Sequence, residues 1–156
     1  MLTFSLDNVL YGVNVSQVRE VKNFEGVTPV PYAPNYVRGV TNLRGEVIPV
    51  IDLRVRFGMA TEKNENTNIM IIVQDKHPVG IMVDSVMEVL TLSKKDIESN
   101  PDSLIVDKSE AVLGVAKHEK ELIILLDLLK VVSKDALNMK EDSKGFQIQV
   151  QNQPKQ

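Results

Sequence analysis

Tyr36-Val37-Arg38-Gly39-Val40-Thr41-Asn42-Leu43-Arg44-Gly45-Glu46-Val47-Ile48-Pro49-Val50-Ile51-Asp52-Leu53-Arg54-Val55-Arg56-Phe57-Gly58 reads as a strand, a tight Asn42-Leu43-Arg44-Gly45 turn, a second strand and a capped helical turn. Gly45 suits a turn position that needs positive φ, and Gly39 suits a close approach of backbone at the start of a strand. Arg44 then stands at the tip of a turn. There a guanidinium can hydrogen-bond backbone carbonyls, either of a partner or of its own neighbouring loop.

Apolar runs of strand length continue on both sides of this stretch, punctuated by Gly, Pro, Asn or Asp. They cover Tyr11–Val15, Val18–Val21, Val40–Leu43, Val47–Ile51, Ile69–Val73, Val79–Val83, Val86–Leu92, Val112–Ala116 and Leu122–Leu126. Short strands at this density predict an all-β barrel or sandwich. Helical pattern is confined to Leu53–Phe57 and to Leu126–Leu137, where Leu128, Leu129, Val132 and Leu137 share one face. Pro29, Pro31 and Pro34 make Val27–Asn35 an extended connector with a turn, expected to be held against the core by Val30 and Tyr32.

The chain also repeats itself. Gly12-Val13-x-Val15-x-x-Val18-x-Glu20-Val21 recurs as Gly80-Ile81-x-Val83-x-x-Val86-x-Glu88-Val89, an offset of 68. Gly39-Val40 with Glu46-Val47-Ile48-x-Val50-Ile51-Asp52-Leu53 recurs as Gly114-Val115 with Glu121-Leu122-Ile123-x-Leu125-Leu126-Asp127-Leu128, an offset of 75. The longer second offset places an insertion within Ser93–Glu110, and Asn64-Glu65-Asn66-Thr67-Asn68 marks a polar break between the copies. Two β units of ~60 to 70 residues are each marginal alone, so they are expected to share a hydrophobic interface. The expected organisation is one domain over residues 1–140, with the approximate repeat at 11–58 and 79–133. A polar, flexible tail is expected over 141–156, although alternating Phe146, Ile148 and Val150 offer a short strand to a sheet edge.

Composition narrows the function. Hydrophobic residues at 43% and charged residues at 25% describe a globular chain, and 156 residues fit one ordinary domain or two small subdomains that share a core. Aromatics are only 4%, so the apolar content is mostly aliphatic, and its β-branched part favours sheet. A net charge of −3 with scattered Lys and Arg argues against nucleic acid as a partner. The absence of Cys excludes disulfides and thiolate metal sites. No run approaches the ~20 apolar residues of a membrane span, so a cytoplasmic protein with no direct membrane insertion is expected.

Catalytic patterns are missing. His118-Glu119 opens like a zinc-protease helix, but Leu122 stands where the second His would be. His77 and His118 sit in polar, turn-like settings, and Asp52 and Asp127 occupy matching repeat positions as N-caps of the helices that follow. No metal, cofactor, small-molecule substrate or catalytic residue is expected.

The segment Gly39-Val40-Thr41-Asn42-Leu43-Arg44-Gly45, followed by a hydrophobic strand carrying Pro49 and by Asp52-Leu53-Arg54, resembles the signature of the CheW family of chemotaxis coupling proteins. The likeness runs from about Phe4 to about Leu137 and includes Tyr11-Gly12-Val13 and Val79-Gly80-Ile81-Met82-Val83-Asp84. It implies two intertwined SH3-like five-stranded β-barrels with short helices and a C-terminal helical segment. It also implies a non-enzymatic scaffold that couples chemoreceptors to the histidine kinase CheA, with the CheA regulatory domain and the cytoplasmic tip of the receptors as partners. Receptor-sensitive positions of the family fall on Val18, Glu20, Gly39, Arg44 and Gly45. Its kinase contacts have no compact motif, and none is assigned. An adaptor for a CheA-type kinase outside chemotaxis, and more remotely a small β-barrel enzyme, are the other readings.

Overall fold

The computed structural model describes residues 1–59, 67–98 and 111–132. Its strands are β1 (Leu2–Leu6), β2 (Val9–Val13), β3 (Val18–Asn23), β4 (Val37–Leu43), β5 (Glu46–Asp52), β6 (Asn68–Gln74), β7 (His77–Val83), β8 (Ser85–Val89), β9 (Ile97–Glu98), β10 (Val112–His118) and β11 (Glu121–Leu126). Helix α1 (Leu53–Arg56) follows β5, and a second helix, α2, occupies 128–132 after β11. Asp52 accepts a hydrogen bond from the Arg54 backbone N–H and Asp127 from that of Leu129, so both carboxylates cap their helices.

The strands form two sheets, ordered β8-β1-β2-β11-β10-β9 and β3-β6-β7-β5-β4. The repeat explains this order. β1 to β5 of the first copy correspond to β6, β7, β8, β10 and β11 of the second. Each sheet draws two strands from one copy and three from the other, so the fold is all-β with two intertwined SH3-like barrels. The correspondence reaches single pairings. Gly12 lies opposite Leu125 where β2 and β11 run parallel, and Gly80 lies opposite Val50 where β7 and β5 do. The register shift between Val37 and Gly39 recurs between Val112 and Gly114. β9, only two residues long, adds a sixth strand to the first sheet beyond the five expected.

Period-two alternation divides the apolar side chains among three clusters. Ile69 and Ile71 of β6 join Ile48, Val50 and Met82 inside the second barrel, while Met70 and Ile72 of the same strand turn the other way. There they meet Phe4, Leu6, Val13, Ile81 and Leu126 in a cluster shared by both sheets. Ala116, Ile123 and Leu125 fill the first barrel. β6 is buried on both faces, which is why it reads as an unbroken run instead of an alternating one.

Three expectations need correction. β1 is not among the expected strands, yet Leu2, Phe4 and Leu6 are core residues and Phe4 stacks on Tyr11 at 5.7 Å between ring centroids. Tyr32 does not hold the connector to the core, being 97% exposed. Pro31 followed by positive φ at Tyr32 (62°) matches a type II turn, which turns the ring outward, and Phe24 and Val27 pack inward instead. The hairpin turn is tighter than expected, because Leu43 pairs with Glu46 and leaves only Arg44-Gly45 as the loop. Both loop residues have positive φ, 52° and 84°, as a type I′ turn requires.

Much of the insertion read into Ser93–Glu110, the end of the helix read to Leu137, and the tail at 141–156 lie outside the described residues. We propose residues 1–140 as the folding unit. A chain ending at Lys140 is expected to keep its melting temperature within a few degrees, whereas a drop of about 10 °C or more would show that Phe146, Ile148 and Val150 pair with a sheet edge.

Candidate functional site

β3 and β4 are the two edges of the second sheet, and they approach one another around a shallow cleft lined by Lys22, Asn23, Thr41, Asn42 and Ile48. The Arg44-Gly45 turn projects past this seam. Gly45 N–H donates to Asn42 Oδ1 at 2.8 Å, which braces the loop on its own strand. From that tip the Arg44 guanidinium grips Glu20 of β3. Nη1 donates to Oε2 at 2.8 Å and Nη2 donates to Oε1 at 3.3 Å, a two-pronged contact across the seam. Arg44 remains 68% exposed and Glu20 21% exposed.

The Arg44 hydrogen bonds hold the Glu20 carboxyl below the usual carboxylate range, and Arg19 and Lys22 act in the same direction. Glu20 stays ionised through neutral and mildly acidic pH, and the pair weakens only as pH falls through its depressed value.

Of the five positions named from the sequence, Glu20, Arg44 and Gly45 therefore form one exposed group. Val18 begins β3, half-buried and packed against the shared cluster. A bulge separates it from Glu20, since Val18 pairs with Ile72 and Glu20 with Ile71. That extra residue re-aims Glu20 toward the turn. Gly39 is not on this surface. It is buried about 16 Å along β4 from the tip at the ordinary strand rise. Its φ of 146° and the adjacent Thr28 carbonyl leave no room for a side chain. The neighbouring Val40 exchanges two backbone hydrogen bonds with Thr28, at 2.8 and 2.9 Å, so this spot docks the proline-rich connector.

The sequence reading missed a second cluster. Arg54, 5% exposed, pairs with Asp52 at 3.2 Å and with Asp84 at 2.8 Å, and Asp84 Oδ2 accepts the Asp7 backbone N–H at 2.7 Å. No local signal pointed to it, because Arg54 meets Asp84 only when the second copy folds against the first. Gln17 also went unnoticed, although its Nε2 donates to Asp127 Oδ1 at 3.0 Å. Among the described residues no group of three His, Cys, Asp or Glu side chains is placed to hold a metal ion.

A family model, the CheW-like domain, matches residues 1–136. The chain is 34% identical over 137 residues to the chemotaxis protein CheW of Klebsiella aerogenes, covering 87% of this chain and 82% of that one. It is 34% identical over 137 residues to the CheW of Bacillus subtilis, covering 87% and 88%. Among solved structures it resembles the scaffolding protein TtCheW of Thermoanaerobacter tengcongensis, with a TM-score of 0.75, 34% identity, and coverage of 83% of this chain and 89% of that one.

Proposed function

Because this chain belongs to the CheW family, we propose that it is a chemotaxis adaptor that couples chemoreceptors to CheA by holding both, without catalysis of its own. The partners in this reading are the CheA regulatory domain and the cytoplasmic tip of the receptors. No helix among the described residues is long and apolar enough to cross a membrane, which accords with a cytoplasmic protein that reaches the membrane through its receptors.

The observation that carries the reading is the exposed Glu20–Arg44 pair. A rigid two-residue turn presents the guanidinium, and the carboxylate holds it in one orientation before any partner arrives. An anchor ordered in advance loses less side-chain freedom on binding, which favours affinity. Glu20, Arg44 and Gly45 form the receptor contact in this reading, with Val18 setting the base of β3. Gly39 acts at a distance by seating the connector against β4.

Arg44→Ala is expected to weaken binding of a receptor signalling fragment by about tenfold or more while leaving the CheA regulatory domain bound as before. Glu20→Ala should reproduce the loss, and the double variant should lose little more than either alone, because the two side chains act as one group. Titration calorimetry against each partner, with a thermal melt alongside, reads all three variants. If both affinities fall and the melt shifts down, Arg44 only braces its own barrel; if neither affinity moves, the turn is not a contact.

A further inference from the structure

The chain crosses between barrels at two equivalent points. It leaves the first barrel at residues 14–17, between β2 and β3, and leaves the second at Asp84, between β7 and β8. At each point a side chain ties the crossing to the capping aspartate of the helix in the barrel being left. Asp52 and Asp127, the two caps, are themselves repeat equivalents.

The two clasps differ in chemistry. At the second crossing Asp84 accepts from Arg54, which is also paired with Asp52, and from the Asp7 N–H, so charge and burial secure it from two sides. At the first, the neutral Gln17 amide spans the gap. Its Nε2 donates to Asp127 Oδ1 at 3.0 Å, and its Oε1 accepts the Leu128 N–H at 3.3 Å, with Gln17 and Asp127 both only half-buried. Water can replace either partner of a half-buried amide, whereas opening the Arg54 cluster strands buried charge.

We propose that the Gln17–Asp127 contact is a latch that opens and closes in the folded protein, while the Arg54 cluster is the fixed joint about which the barrels shift. β3 starts immediately after Gln17, so opening releases the polar tie between the start of β3 and α2, while Val18 stays packed against the shared cluster. The latch is a property of the chain alone and does not depend on which partner binds at Glu20 and Arg44.

Because the chain has no cysteine, Lys22→Cys on β3 and Lys117→Cys on β10 give a clean pair of spin labels, one on each barrel. Pulsed dipolar spectroscopy on the full chain should show one narrow distance distribution. Gln17→Leu should at least double its width, and Gln17→Glu, which sets a second carboxylate beside Asp127, should widen it further. In the same variants the Leu128 amide should exchange with solvent at least tenfold faster while the Asp7 and Asp84 amides keep their rates. Equal widths in all backgrounds would overturn the latch. So would equal acceleration at Leu128, Asp7 and Asp84, since that is loosening of the whole fold. If Gln17→Glu does not fold, Gln17→Leu decides alone.

Discussion

Gly39→Ala is expected to lower the melting temperature by about 10 °C or more, an effect out of proportion to one added methyl group. A Cβ at Gly39 would overlap the Thr28 carbonyl oxygen and lie 2.7 Å from its carbon and 3.0 Å from Pro29 Cα. These are backbone atoms and cannot swing aside. Moving them breaks the two hydrogen bonds between Thr28 and Val40, which are the connector's link to β4. The φ of 146° adds strain of its own, in a region essentially reserved for glycine. Gly45→Ala is the control. Its φ of 84° is also left-handed, but nothing lies within 4 Å of the added carbon, so only a local cost of about 1 kcal/mol is expected. A circular-dichroism melt of both variants checks the contrast. Equal small shifts would mean that the connector is not docked where the structure places it.

Arg54→Ala is expected to destabilise the fold by about 3 kcal/mol or more, the scale of breaking a buried ion pair from one side. Burial opposes the guanidinium's charge, but the Asp52 and Asp84 carboxylates outweigh it and raise its pKa above the ordinary value. Removing it leaves two carboxylates facing each other without a cation, and removes the link from α1 to the point where the chain leaves β7. Urea unfolding of the variant and the wild type at neutral pH measures the loss. A gap well below about 3 kcal/mol would show that Arg54 is not holding the two aspartates.

The pairing of the two sheets was legible because the two halves of the chain keep the same residue types at sites of the same constraint. Gly12 and Gly80 face the partner strands Leu125 and Val50, and Asp52 and Asp127 start the two helices. β1 was not, since Leu2, Phe4 and Leu6 span five residues at the chain start and no punctuation precedes them. Tyr32 misled because aromatic residues are usually inward, whereas the local Pro31 turn decided its direction. At the candidate site, Arg44 could be placed at a turn tip from Gly45 alone. Its partner could not, because Glu20 lies on the opposite edge of the sheet and meets it only once the barrel closes. The buried Arg54 cluster depends in the same way on Asp84, contributed by the second copy.

Whether one chain holds receptor and kinase at the same moment is measured most directly by sedimentation of this protein with a receptor signalling fragment and a CheA regulatory domain together. A single species with the summed mass of all three is expected, and with Arg44→Ala it should lose the receptor fragment and keep the kinase domain. Displacement of one partner by the other, with only two-component species at any ratio, would contradict the adaptor reading.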